Sequence, residues 1–249
     1  PLSDEKIQQF LQNELMEEWQ ALWQILTQSD NGPHRLLEMA RNPYLLTLMV
    51  DVFEEDRHLN QNRAALMHRF TRILMQWAKA KCPSDQWLSA DLQYEALSVM
   101  AFEMQARSGF GTKVKTEQVK AVMPQKVQLD PKWPSQPVPP NQVLSLAANA
   151  KIIEMPINRS TVRFYHQLLQ EYLAAHQMLK KDPASLADLW RWPWAESEMP
   201  LWVRPDNNYE PLPPPPQTGW EETTILAIGS APQNDDQLIR TLLEINPVL

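Results

Sequence analysis

The stretch "TVRFYHQLLQEYLAAHQML", Thr161 to Leu179, decides the reading of this chain. A β-branched and aromatic run gives way to an amphipathic helix, and His166 sits where one becomes the other. Just upstream, "KIIEMPINRSTVRFYH" holds two β-prone runs, Lys151–Pro156 and Thr161–His166, around Asn158-Arg159-Ser160. That pattern predicts a β-hairpin. "QVLSLAANAK" reads as a helix feeding the hairpin, and the helix over about 167–180 follows it. Helices running into a two-stranded wing suggest a winged-helix module. The histidine at the junction is either a packing residue or a contact to something bound above it.

Toward the N-terminus the pattern is helical. Ser3, Asp4 and Glu5 make a good helix start, with acids in the first turn. Ile7, Leu11, Leu15, Trp19, Leu22 and Leu26 recur at steps of three and four, predicting one long helix. "SDNGP" at 29–33 ends it. "HRLLEMA" is a short helix, and "RNPYLLTLMVDVF" begins another with Pro43 in its first turn, where a missing N–H costs nothing. In "NRAALMHRFTRILMQWAKAK" (62–81), Leu66, Phe70, Ile73 and Trp77 share a face. Ser89 caps a helix to about Arg107 with Leu97, Met100, Ala101 and Met104 inward; "SGFGT" breaks it, and Thr116–Met123 is a short helix. Between 124 and 141, six prolines predict a loop that is neither ladder nor helix.

Beyond 181 the character changes. Trp190, Trp192, Trp194 and Trp202 cluster near a proline run, Pro211–Pro216, that reads as a polyproline II spacer. The tryptophans read as a packing plug between helical layers. "WEETTILAIG" and "DDQLIRTLLEINPVL" read as a helix pair unable to bury its apolar face alone, as in the first unit of an α-solenoid.

Composition narrows the function. Five glycines in 249 residues, none in a G-x-x-x-x-G-K-[ST] or G-x-G-x-x-G setting, exclude the usual phosphate-cradling loops. By itself the chain is therefore no nucleotide hydrolase. The net charge of −7 argues against general affinity for nucleic acid or anionic lipid. No apolar run reaches bilayer length, so no membrane span is expected. The start "PLSDEKIQQFLQ" is not a signal peptide, and lacking methionine it reads as the start of an excised piece. One cysteine, Cys82, allows no internal disulfide and fits a reducing cytoplasm. No His, Cys and Asp/Glu set has metal spacing. Glu17, Glu18, Glu54, Glu55 and Asp56 lie on solvated helix faces, and His68 and His176 read as surface or packing residues.

Three segments, "LLEMARNPYLLTLMVDVF", "NRAALMHRFTRILMQWAKAK" and "YHQLLQEYLAAHQML", together resemble the helical and winged-helix parts of NACHT-type signalling ATPases, the STAND class that includes NOD-like receptors. "WEETTILAIGSAPQNDDQLIRTLL" resembles the opening of the HEAT-like repeats that often follow. The resemblance implies a mainly α fold: a helical subdomain (1–58), a winged-helix subdomain with one β-hairpin (59–182, with the insert 124–141), and a linker with the start of a helical repeat (183–249). It further implies a regulatory lid and hinge closing over ADP, in a cytoplasmic switch between ADP-bound closed and ATP-bound open states. The nucleotide and its Mg²⁺ would be held by an upstream nucleotide-binding core of the same polypeptide, and the repeats would take protein partners. In the family the histidine before the Q-E-Y-L-A-A helix reaches the β-phosphate of ADP, a position that His166 matches. The N-P-x-L-L proline that packs on the base is matched by Pro43. The residues alone read His166 as a strand-end histidine bonded to a carbonyl and Pro43 as a helix-start proline.

Two other readings stand beside this one. A DNA-binding winged-helix regulator would have only Arg159 and Arg163 on the wing, since "NQVLSLAANAK" offers a single lysine. A helical scaffold could dock partners through "EPLPPPPQ".

Overall fold

The computed structural model describes residues 1–28, 35–108, 113–190, 218–231 and 236–245. The turn at 29–33, the glycine break at 109–112, Trp192, Trp194, Trp202 and Pro211–Pro216 lie outside them. The described chain is mainly helical with a small antiparallel sheet, and it divides into two compact units, Pro1–Lys81 and Cys82–Leu249. The family resemblance implies a boundary at 58/59.

The first unit holds α1 (Asp4–Leu15), α2 (Trp19–Thr27), α3 (Arg35–Ala40), α4 (Pro43–Asp56) and α5 (Arg63–Ala80). The single long helix expected from Ile7 to Leu26 is broken. Met16 takes φ 50° and a 3₁₀ turn spans Met16–Glu18. Steps of four advance about 400° around a helix, so Ile7, Leu11, Leu15 and Trp19 drift by roughly 120°. The break resets the phase, so Leu22 and Leu26 are buried as fully as Ile7 and Leu11. Ser3 is the N-cap residue without bonding the backbone; its hydroxyl instead holds the Glu5 carboxyl below its ordinary range.

Asparagines set the next two starts. Asn42 Oδ1 accepts from the Tyr44 and Leu45 N–H groups at 2.9 and 3.3 Å, and Asn62 Oδ1 from Ala64 and Ala65 at 2.9 and 3.2 Å. Arg69 ties α5 to the end of α4, reaching Glu55 at 2.5 Å and Asp56 at 2.8 Å. Those contacts explain why α5 groups with the helices before it. Leu66, Phe70 and Ile73 are buried, whereas Trp77, expected on the same face, is 40% exposed. Leu74, Met75 and Ala78 around it are buried, so the buried side of the last turns is carried by those residues and not by Trp77.

Asp51 on α4 is half-buried, and its Oδ2 has no hydrogen-bond partner among the described residues. Burial first, then the charges of Glu54, Glu55 and Glu14, push its carboxyl up to about 6. A folded value above the ordinary 3.8 means that the native state holds the proton more tightly than the unfolded chain. Stability is therefore full below about pH 4, declines toward pH 6 and stays lower above it. Asp51→Asn should stabilise the protein at pH 7 by about 1–2 kcal/mol, the full linkage value being reduced by solvent screening. The gain should vanish at pH 4. Urea unfolding at the two pH values checks this.

The second unit runs α6 (Ala90–Ser108), β1 (Val114–Lys115), α7 (Thr116–Val122), β2 (Lys126–Val127), β3 (Gln136–Pro137), α8 (Pro140–Asn149), β4 (Ile153–Glu154), β5 (Thr161–Phe164), α9 (Gln167–Met178), α10 (Ala187–Trp190), α11 (Glu221–Ser230) and α12 (Asp236–Ile245). Ser89 caps α6 as expected, its Oγ accepting from the Leu92 N–H at 3.2 Å. The expected hairpin is present, with Ile153 opposite Phe164 and Glu154 opposite Arg163. A third strand, β1, pairs antiparallel with β5 (Val114 opposite Val162), giving the order β1-β5-β4. Two residues are too few to show a period, which is why the sequence did not reveal it.

The proline-rich insert corrects another expectation. It contains a two-residue antiparallel ladder, β2 with β3, rather than loop alone. Lys126 and Pro137 form a pair whose own N–H groups are not required, because the bond beside them runs from the Val138 N–H to the Gln125 carbonyl at 3.0 Å. The last proline of the insert, Pro140, begins α8.

The core of this unit is α9, packed against α6 and α11. Leu169, Leu173, Ala174 and Ala175 of α9 are fully buried, as are Leu97, Met100 and Ala101 of α6, and Leu226 and Ala227 of α11 are buried with them. The terminal helix pair therefore does not stand apart. α11 packs on α9, while α12 packs on α10 and the 3₁₀ turn Pro183–Leu186.

Candidate functional site

His166 is the N-cap of α9. Strand β5 ends at Phe164, the Tyr165 N–H donates to the Ile152 carbonyl at 2.9 Å, and His166 keeps extended backbone (φ −138°, ψ 138°) before the helix begins. Its Nδ1 accepts from the Leu168 N–H at 3.1 Å. The ring thus does what an Asn or Ser side chain does at other helix starts. This differs from the strand-end histidine donating to a carbonyl that the residues alone suggest.

The cap fixes the chemistry of the ring. A nitrogen that accepts a hydrogen bond carries no proton, so the proton of this imidazole sits on Nε2. Burial also lowers the pKa of His166, favouring the neutral form. His166 is thus a half-buried neutral imidazole with Nε2–H as its donor, not a cation.

Pro43 is the first residue of α4, exposed, directly after the capping Asn42. Its fixed φ and missing N–H suit that position. Pro43 belongs to the first unit and His166 to the second.

A polar cluster that the sequence reading missed joins α6 to α9. Tyr172, His176 and Lys180 lie four residues apart and present one stripe, met by Tyr94 and Glu95 of α6. The Tyr94 hydroxyl donates to that of Tyr172 at 2.6 Å, and the Tyr94 ring stands edge-on to the His176 imidazole at 4.6 Å. Burial drives both phenols up, Tyr172 to about 12 and Tyr94 further, so both remain neutral O–H groups. Burial also pushes the Glu95 carboxyl up, but hydrogen bonds from His176 (3.0 Å) and Lys180 outweigh it and hold the group below its ordinary range. The Y-x₃-H-x₃-K spacing was visible, but only the fold brings the tyrosine and glutamate of α6 to it. His68, by contrast, lies exposed on α5.

A third constellation fastens α11. The Gln105 amide, 4% exposed, donates to the Gly219 carbonyl at 2.8 Å and to Thr223 Oγ1 at 2.7 Å. Gly219 adopts φ 87°, a conformation that disfavours any side chain, and its N–H donates to Glu221 Oε2 at 3.0 Å. The Trp220 ring lies 5.1 Å from that of Phe102, and the Lys181 ammonium sits 4.7 Å from the other partner of this stack, Phe102.

Among the described residues no group of three or more His, Cys, Asp or Glu side chains could hold a metal ion, and no helix is long and apolar enough to cross a membrane. The arrangement places a capped neutral imidazole at the strand–helix junction. Comparison with known protein families, curated proteins and solved structures finds no match to this chain.

Proposed function

We propose that this chain is the regulatory lid and hinge of a NACHT-like nucleotide-dependent switch, closing over ADP held by a nucleotide-binding core elsewhere in the same polypeptide. In this reading residues 82–190 are a winged-helix module. The support is the order α6, β1, α7, α8, β4, β5 with the strand order β1-β5-β4, which is the connectivity of a winged helix with an insert between its second and third helices. The observation that carries the nucleotide role is the placement of His166, a neutral imidazole at the N-cap of the helix that follows the wing.

Such a ring suits a phosphate oxygen without burying a second charge beside it. One hydrogen bond to a charged group is worth about 1.5–3 kcal/mol, enough to shift a balanced two-state element about tenfold or more. In the parent protein, His166→Ala should therefore raise basal activity and shorten ADP retention. His166→Asn, which can still cap α9 and donate, should retain part of the closed state. Measuring the ADP that copurifies with each variant tests this. Equal ADP in all three proteins, with unchanged basal activity, contradicts the proposal.

A further inference from the structure

The wing, α7 and α8 border a pocket open to solvent that the nucleotide reading does not use, lined by Thr116 and Lys120 of α7, Asn141, Leu144 and Ser145 of α8, and Met155 and Arg159 of the wing. Thr116 and Lys120 are four residues apart, as are Asn141 and Ser145, so each helix turns two polar groups toward one space. The pocket is basic in a chain whose 30 acidic residues outnumber its 23 lysines and arginines. No carboxylate lines it.

The two cations are placed for a ligand. Lys120 is 28% exposed, and its ion-pair partner Glu117 is 83% exposed, a solvated pair of small worth that a better anion can displace. Arg159 keeps φ 50°, uncommon for a residue with a side chain. Thr116 holds it there, donating Oγ1 to the Arg159 carbonyl at 2.6 Å and its N–H to the Ser160 carbonyl at 3.0 Å. The adjacent wing cation, Arg163, is already engaged by Glu154 at 2.5 Å. Ser145 adds a hydroxyl and Asn141 an amide, both donors to an oxyanion.

We infer that this pocket binds one tetrahedral oxyanion of the phosphate class, taken between Lys120 and Arg159 with Ser145 and Asn141 completing the hydrogen bonds. The anion is either free inorganic phosphate or the terminal phosphate of a small phosphomonoester. The inference rests on the second unit alone and stands without the nucleotide reading.

Titrating the 249-residue protein with inorganic phosphate at constant ionic strength, followed by amide NMR, tests it. Saturable shifts are expected at Lys120, Ser145 and Arg159. Arg159→Ala and Lys120→Ala should each weaken binding about tenfold or more, whereas Arg163→Ala should leave it within about twofold. A parallel titration with a phosphomonoester separates the sources: tighter binding of phosphate assigns the free ion, tighter binding of the ester a terminal phosphate. No saturable shift overturns the inference, and so does equal weakening by Arg163→Ala, which marks diffuse attraction. Salt-sensitive duplex DNA binding that survives excess phosphate would also overturn it, in favour of a nucleic-acid surface.

Discussion

Trp220→Ala is expected to cost the second unit about 3–5 kcal/mol, the range for removing a large aromatic side chain from a core. Trp220 is 5% exposed and packs on Phe102 of α6 at the start of α11. The residue also sits inside the turn that Gln105 and Glu221 fasten, where the Trp220 N–H donates to Thr218 Oγ1 at 3.2 Å. Its loss should loosen α11 from α9, on which that helix packs. Hydrogen exchange is the readout, with amides of α9 and α11 losing protection together. Were α11 the first helix of a separate repeat, α11 alone would lose protection and α9 would be unaffected.

Phe70→Ala should have an effect of similar size, about 3–5 kcal/mol, in the first unit. The ring is fully buried on α5, a helix that packs on α4. Trp77, seven residues on, makes the comparison informative. Sequence spacing gives it the same face, yet it is 40% exposed, and Trp77→Ala should cost less than about 1 kcal/mol. Denaturant midpoints of the two variants decide between spacing and position as the guide to energy. Equal losses would mean that the exposed Trp77 ring contributes as much as the buried Phe70 ring.

These cases show what the sequence made legible. The helices with a three-and-four period over a marked stretch, α5 and α6, could be placed to within a residue or two, and Pro43 marked the start of α4. The hairpin was visible as two β-prone runs around a polar turn. The break at Met16 was not, since steps of four look like one face until the drift of the helix is followed. β1 and the β2–β3 ladder were hidden because two-residue strands exist only through their partners.

The candidate site was legible in part. His166 could be located at the strand–helix junction, but its role as an Nδ1 acceptor, and hence its neutral state, emerges only from the position of the Leu168 N–H. The Tyr94–Glu95 contacts to Tyr172, His176 and Lys180 join residues about 80 positions apart, beyond the reach of local spacing. The phosphate-class pocket likewise draws on three separated segments, so its charge is diluted in the overall −7.

The central claim, that this chain closes over a nucleotide held by a core upstream of it, is tested most directly by reading the genomic DNA in frame before Pro1. The account predicts an open frame that encodes G-x-x-x-x-G-K-[ST] between a strand pattern and a helix pattern. A start codon immediately before Pro1, or a long upstream frame without that motif, would contradict it and leave His166 as a helix cap alone.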